Sequence, residues 1–173
     1  MKMFTRAGRA AILDRRAFTE AFFDDDAMAD SAIIVALVGG VTYLGVLLRF
    51  GALDRFNLAL LLQALIISVA SWLILGFATW FAATRIFGAS NRPQTLIAMQ
   101  GLAALPLLLE IFGSPISWAG LLWYLAILVI ATKEATDLDY KFASVSVLIA
   151  FAVTAVIRLL IGAPFALLSG VFS

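Results

Sequence analysis

The chain has 173 residues, of which 64% are apolar and 13% are charged, and its mean hydropathy is +1.06. This composition excludes an ordinary soluble domain, since a fold of this size cannot hide so much apolar surface from water. Cysteine and histidine are both absent, which removes disulfides, thiol nucleophiles, imidazole bases, and thiolate or imidazole ligands for metals and haem.

The N-terminal segment, residues 1–29, is predicted to form an amphipathic helix on the cytoplasmic membrane surface. Its apolar residues fall near one helical face and arginines flank them, although Asp14 and Arg15 interrupt the stripe. The alternative is a partly ordered basic tail that only sets the topology. A cleaved signal peptide is not expected, because the first apolar run begins near residue 32, behind an acidic stretch, and is too long for a signal core.

The rest of the chain, residues 30–173, is predicted to be a transmembrane domain with five helical spans. The spans lie at about 30–49, 57–85, 94–112, 116–132 and 142–161. Helices are required because lipid cannot satisfy open backbone groups, and the runs are too continuously apolar for the alternating strands of a membrane barrel. The predicted fold is therefore an all-α polytopic membrane helix bundle preceded by the N-terminal amphipathic helix.

The basic residues predict how this bundle is oriented. Nine of the twelve fall on one side: Lys2, Arg6, Arg9, Arg15, Arg16, Arg85, Arg92, Lys133 and Lys141. The opposite side receives Arg49 and Arg55 in the first connection. Because cytoplasmic segments of membrane proteins are enriched in lysine and arginine, this distribution predicts a cytoplasmic N-terminus and a C-terminus outside.

Glu110 and Arg158 are the ionisable side chains expected to lie within or beside the hydrocarbon. Glu110 lies 16 residues after Gln94 and Arg158 lies 17 after Lys141, so both are roughly 25 Å from the cytoplasmic side at 1.5 Å per residue. A salt bridge between the third and fifth spans is therefore possible. The alternative is that each side chain reaches water independently. An ion or proton pathway is not favoured, because a relay needs further ionisable groups near mid-membrane.

The third span carries polar and small residues around a proline. Gln100 and Gly101 would allow a neighbouring helix to approach closely and form a hydrogen bond, while Pro106 removes a helical donor and predicts a kink that opens a small cavity or serves as a hinge. Gln63 is the other polar candidate inside a span. We interpret these positions as packing features in preference to a ligand site.

No motif of an enzyme or of a cofactor site is visible. The chain has no nucleotide-binding glycine-rich loop, nucleophile elbow or paired catalytic carboxylates. An acidic cluster precedes the first span and consists of Asp24, Asp25, Asp26 and Asp30. It lacks the ligand spacing of a calcium loop and is interpreted as carboxylates at a helix N-terminus. We therefore expect no enzymatic activity, no cofactor, no metal site and no nucleic-acid partner.

Residues 85–96 (RIFGASNRPQTL), followed by residues 101–106 (GLAALP), are similar to the centre of the Yip family, membrane proteins named for interaction with Ypt/Rab GTPases. Residues 11–18 (AILDRRAF) resemble the segment that precedes the spans in bacterial members. The resemblance implies five spans, a cytoplasmic N-terminus and an external C-terminus, but no catalytic residues. The chain lacks the long N-terminal region of many eukaryotic members, which favours a compact prokaryotic type in a bacterial cytoplasmic membrane.

Two functions follow as hypotheses. The first is a membrane-organising scaffold or accessory subunit of a larger membrane complex, in contact with lipids and with another membrane protein or further copies of itself. The second is a small oligomeric transporter or channel for an ion, lipid or small solute, with the polar positions of the spans along its path.

Overall fold

The computed structural model describes residues 2–171, with side chains for residues 3–157, 159 and 160. The described part of the chain is helical and contains no strand. Its helices are α1 (Lys2–Ala11), α2 (Arg15–Phe22), α3 (Ala27–Arg49), α4 (Leu58–Phe81), α5 (Pro93–Leu102), α6 (Ile116–Thr136) and α7 (Tyr140–Val171). Two 3-10 segments, Leu53–Arg55 and Leu105–Phe112, and one π-helical turn, Ala82–Ile86, lie between them.

Four described helices are long and apolar enough to cross a membrane: Ala27–Arg49, Leu58–Ile86, Ile116–Thr136 and Tyr140–Ile157. A fifth span exists if α5 and the segment Leu105–Phe112 count as one, with a bend of 41° between them. The predicted all-α bundle is confirmed. The helix limits lie within a few residues of the predicted spans, except that α7 continues to Val171, ten residues beyond the predicted end of the fifth span. The fourth connection is shorter than predicted, because α6 continues to Thr136 and α7 begins at Tyr140.

The N-terminal segment is helical as predicted, but it is divided into two helices. Leu13 adopts a left-handed conformation with φ of 64°, which ends α1, and Asp14 caps α2 by accepting a hydrogen bond from the backbone N–H of Arg16. Arg9 donates to Asp14 at 2.7 Å and to Glu20 at 2.8 Å. The Arg9 hydrogen bond, aided by the Arg16 N–H, lowers the pKa of Asp14.

These two helices and the turn between them, here called the N-terminal hairpin, pack against the bundle. Ala10, Ala17 and Phe18 are fully buried and belong to the same hydrophobic core as the spans. The indole N–H of Trp123 in α6 donates to the carbonyl of Ala11 at 2.8 Å. Because Trp123 lies 13 residues before the end of α6, α1 reaches roughly 20 Å along that helix.

Helix α5 forms the centre of the bundle, and the chain leaves the centre after it. Residues 96–102 are all buried, in contact with α3, α4 and α6. Of the eight described residues in Leu105–Phe112, only Pro106 is buried. The kink predicted from Pro106 is present as the bend between α5 and this 3-10 segment. Proline cannot donate to the carbonyl four residues before it and clashes with that carbonyl, so the helix ends there.

Small residues permit the close contacts around this bend. A Cβ atom on Gly120 of α6 would lie 2.7 Å from the carbonyl oxygen of Pro106, and one on Gly76 would lie 2.6 Å from Ile97. Gly45 approaches Ile111 in the same way. Glycines of the first, second and fourth spans therefore allow the third span to pack closely against them.

Candidate functional site

A groove of about 950 Å³ lies between α3, α4, α6, α7 and the 3-10 segment Leu105–Phe112. Arg49 and Glu110 line one end of it, and Val35, Trp72 and Tyr124 line the other. Arg49 and Val35 are 14 residues apart on α3, so the groove extends roughly 21 Å along the bundle. We call the end where α3 finishes and α6 begins the Arg49 end.

The groove exists because the third span bends away from the centre. In the half of the bundle near the N-terminal hairpin, α5 fills the space between the other helices. In the other half, the 3-10 segment runs along the outside and leaves that space open. Leu107 and Glu110 of the segment line the groove, together with the residues that flank it, Ala104 and Gly113. This three-residue spacing is the repeat of a 3-10 helix, in which side chains at i and i+3 lie above one another.

The lining is mostly apolar, and its charged groups lie at the Arg49 end. Among the side chains that the structure describes, neither Arg49 nor Glu110 has an oppositely charged partner within 4.0 Å. The Arg49 guanidinium lies against Gly113, where a Cβ atom would overlap it, and 5.3 Å from the centre of the Phe50 ring. Ser114 and Ser117 add hydroxyl groups at the same end.

Gln100 is buried and lies outside the groove. Its side-chain N–H donates to the Thr132 hydroxyl at 3.2 Å, and that hydroxyl donates to the carbonyl of Leu128 at 2.8 Å. The Gln100 side-chain oxygen has no hydrogen-bond partner in the described part of the chain. The amide therefore links α5 to α6, as the packing interpretation predicts.

The structure does not gather the other predicted positions into one site. Gln63 is exposed on the surface of α4, and Pro106 is buried against Gly120 of α6. Of the predicted positions whose side chains are described, Glu110 is the one that lines the groove. The side chain of Arg158 lies outside the described residues, so the pairing of Glu110 with Arg158 stays a prediction.

Arg49 is the residue of the groove that sequence reasoning missed. In the sequence, its position at the end of the first span indicates only a charge that helps to set the topology. The sequence does contain a signal for it, which is its depth in the membrane. The predicted topology places the ends of the first and third spans on the same side of the membrane. That arrangement brings Arg49 to the same interface as Glu110.

A second group of charges joins the N-terminal hairpin to the start of α3. The Arg6 side chain is 7% exposed. Its Nη2 atom donates a hydrogen bond to the Asp24 carboxylate, and its Nη1 atom lies 3.7 Å from Oδ2 of Asp30. This ion cluster accounts for two of the four aspartates before the first span.

Known proteins provide no assignment for either site. A comparison with family models, curated proteins and solved structures found no match. Membership of the Yip family stays a prediction that rests on residues 11–18, 85–96 and 101–106.

The Gln100 contact leads to a prediction about stability. Thr132→Val is expected to lower the free energy of unfolding by about 1 to 2 kcal/mol, because it leaves a buried amide without a partner. Gln100→Met removes that amide and is expected to be neutral or stabilising. The double variant should match Gln100→Met in thermal unfolding in detergent. A double variant as unstable as Thr132→Val would contradict this explanation.

Proposed function

We propose that the chain is a non-enzymatic integral membrane protein that acts as a membrane-organising scaffold or as an accessory subunit of a larger membrane complex. The observation that carries this proposal is the closure of the groove by α5. Residues 96–102 are all buried at the bundle centre and do not line the groove, so in the part of the chain that the structure describes the groove ends before α5. A groove that is closed at one end favours binding of a molecule over passage through an open channel.

The polar groups around α5 support the same conclusion. The Ser31 hydroxyl donates to the carbonyl of Ala98 at 2.6 Å, and the Trp72 indole N–H donates to that of Ile97 at 2.9 Å. Together with Gln100, these side chains connect α3, α4 and α6 to the central helix. They are used for helix association, whereas a transporter places polar groups along a substrate pathway.

We further propose that the chain resides in a bacterial cytoplasmic membrane with its N-terminus in the cytoplasm. Five exposed basic side chains lie at the end of the bundle where α3 begins: Arg15, Arg16, Arg85, Arg92 and Lys141. Such a surface favours contact with anionic lipid headgroups. The apolar outer faces of the spans remain available to lipid, to another membrane protein or to a second copy of the chain.

The test is purification of the tagged protein from its native membrane in nanodiscs, followed by mass spectrometry of the proteins that accompany it. A membrane protein recovered in fixed stoichiometry, and not with an unrelated polytopic protein carrying the same tag, is the expected result. A homo-oligomer that has no such partner and transports a solute into vesicles would overturn the proposal.

A small transporter is the second candidate. It is favoured by the 41° bend in the third span and by the π-helical turn Ala82–Ile86 in the second, since irregular helices are typical of transport pathways and functional sites. Solute flux through reconstituted protein that is lost on Glu110→Gln, with Asp54→Asn as the control at the same end, would support it.

A further inference from the structure

We infer that the groove binds one zwitterionic phospholipid of the surrounding membrane, whose headgroup carries a phosphate and a primary ammonium group. This inference goes beyond the scaffold proposal and does not depend on the identity of any protein partner. It rests on the dimensions of the groove, its side opening and the two charges at the Arg49 end.

The dimensions fit one leaflet of a bilayer. The hydrocarbon core is about 30 Å thick, so one leaflet contributes roughly 15 Å and the headgroup layer several more. The groove extends roughly 21 Å from Arg49 to Val35, with charges at one end and apolar side chains below. Its volume of about 950 Å³ lies within the range of ligand sites, which are mostly apolar with a few placed polar groups.

The groove is also accessible from the side. Ile67 of α4 and Trp118 of α6 line it, yet they remain 48% and 63% exposed. Both residues therefore line the groove and are also exposed on the outside of the bundle. A lipid can therefore reach the groove from the bilayer without first leaving the hydrocarbon.

The charges at the Arg49 end distinguish between lipid classes. Arg49 and Glu110 lie on different elements, carry opposite charges and are not paired with each other within 4.0 Å or with another described side chain. An anionic headgroup would satisfy Arg49 and leave Glu110 facing a negative charge. A zwitterionic headgroup satisfies both.

Each charge has a suitable partner in such a headgroup. The planar guanidinium of Arg49 matches two phosphate oxygens at once, and Ser114 and Ser117 offer hydroxyl donors beside it. The carboxylate of Glu110 accepts charge-assisted hydrogen bonds, which a primary ammonium group donates and a quaternary one cannot. The preferred lipid is therefore a phosphatidylethanolamine and not a phosphatidylcholine.

The experiment is native mass spectrometry of delipidated protein in mild detergent, titrated separately with phosphatidylethanolamine, phosphatidylcholine and phosphatidylglycerol of identical acyl chains. We expect one retained phosphatidylethanolamine per chain and weaker binding of the other two. Arg49→Gln and Glu110→Gln should each weaken that binding roughly tenfold, the loss expected for one charge-assisted hydrogen bond. Arg55→Gln and Asp54→Asn are the matched controls, because both side chains are exposed at the same end and do not line the groove.

A second variant separates the headgroup from the acyl chains. Leu107→Trp narrows the groove below Glu110 while both charges remain, and it should abolish retention of the lipid.

Equal affinity for phosphatidylglycerol, or equal affinity for phosphatidylcholine, would overturn the assignment of Glu110 to a primary ammonium group. Unchanged binding in Arg49→Gln, Glu110→Gln and Leu107→Trp would overturn the site. Neither result affects recovery of a protein partner, so failure of this inference and failure of the scaffold proposal are distinguishable.

Discussion

Replacing Asp24 and Asp30 together by asparagine is expected to release the N-terminal hairpin from the bundle. The Arg6 guanidinium is buried, and within the described structure its Nε and Nη1 atoms have no hydrogen-bond partner. Its positive charge is therefore neutralised by the carboxylates of Asp24 and Asp30. Removing the partners of a buried charge costs about 3 to 5 kcal/mol. Because the carboxylates are 30% and 25% exposed, we expect a loss of about 3 kcal/mol, at the lower end of that range.

Cysteine labelling measures this release directly, since the natural chain contains no cysteine. Ala10 lies on α1 of the hairpin and is fully buried in the core shared with the spans, so a cysteine placed there should react slowly with a maleimide in the parent protein and at least tenfold faster in the double variant. Asp25→Asn with Asp26→Asn is the control, because both side chains are exposed. Adding Arg6→Met to the double variant removes the unpaired charge and should restore slow labelling. Equal labelling rates in parent and double variant would refute the role of the ion cluster.

Gly101→Leu is expected to destabilise the contact between α3, α4 and α5 strongly. A Cβ atom on Gly101 would overlap the Ser31 side chain and lie 3.0 Å from the Trp72 ring. Neither neighbour can move away easily, because each one donates a hydrogen bond to a carbonyl of α5. Overpacking of this kind costs about 1 to 3 kcal/mol, and we expect the upper value because three helices meet at this position.

Thermal unfolding in detergent, followed by size-exclusion chromatography, tests the prediction. A loss of about 3 kcal/mol lowers the midpoint by roughly 6 to 12 °C in a chain of this length. Gly8→Ala is the matched control, since no atom lies within 4 Å of its added Cβ and alanine is the better helix former. It should leave the midpoint unchanged or raise it. A Gly101→Leu protein that unfolds at the parent temperature would contradict the prediction, because it would show that α3, α4 and α5 can move apart enough to accommodate the larger side chain.

The bundle could be predicted from the sequence because its signals are local. Continuous apolar runs specify the spans, since only a helix satisfies its own backbone in lipid. Pro106 specifies a bend because the missing N–H and the steric clash are properties of the residue itself. The small residues near Gly101 specify close packing for the same reason.

The features that the sequence did not reveal depend on contacts between distant segments. Leu13 gives no sign of its left-handed conformation, because leucine is compatible with continued helix and the break becomes favourable only when both short helices pack on the bundle. The groove depends on which half of the third span lies at the centre of the bundle. The neighbouring helices determine this, because residues 96–112 are apolar throughout except for Gln100 and Glu110 and both halves therefore look alike in the sequence.

The hydrogen bond between Trp123 and Ala11 also constrains the order in which the molecule is completed. The two residues are 112 positions apart, and ribosomes add about 5 to 20 residues per second. The face of the hairpin that packs against α6 therefore remains without this contact for roughly 5 to 20 seconds, until α6 has been synthesised. During that interval Phe18 and the alanines beside it need a temporary cover, and the bilayer surface next to the insertion site is available to provide it. Helices α1 and α2 are translated before the spans and are thus among the last to reach their final positions.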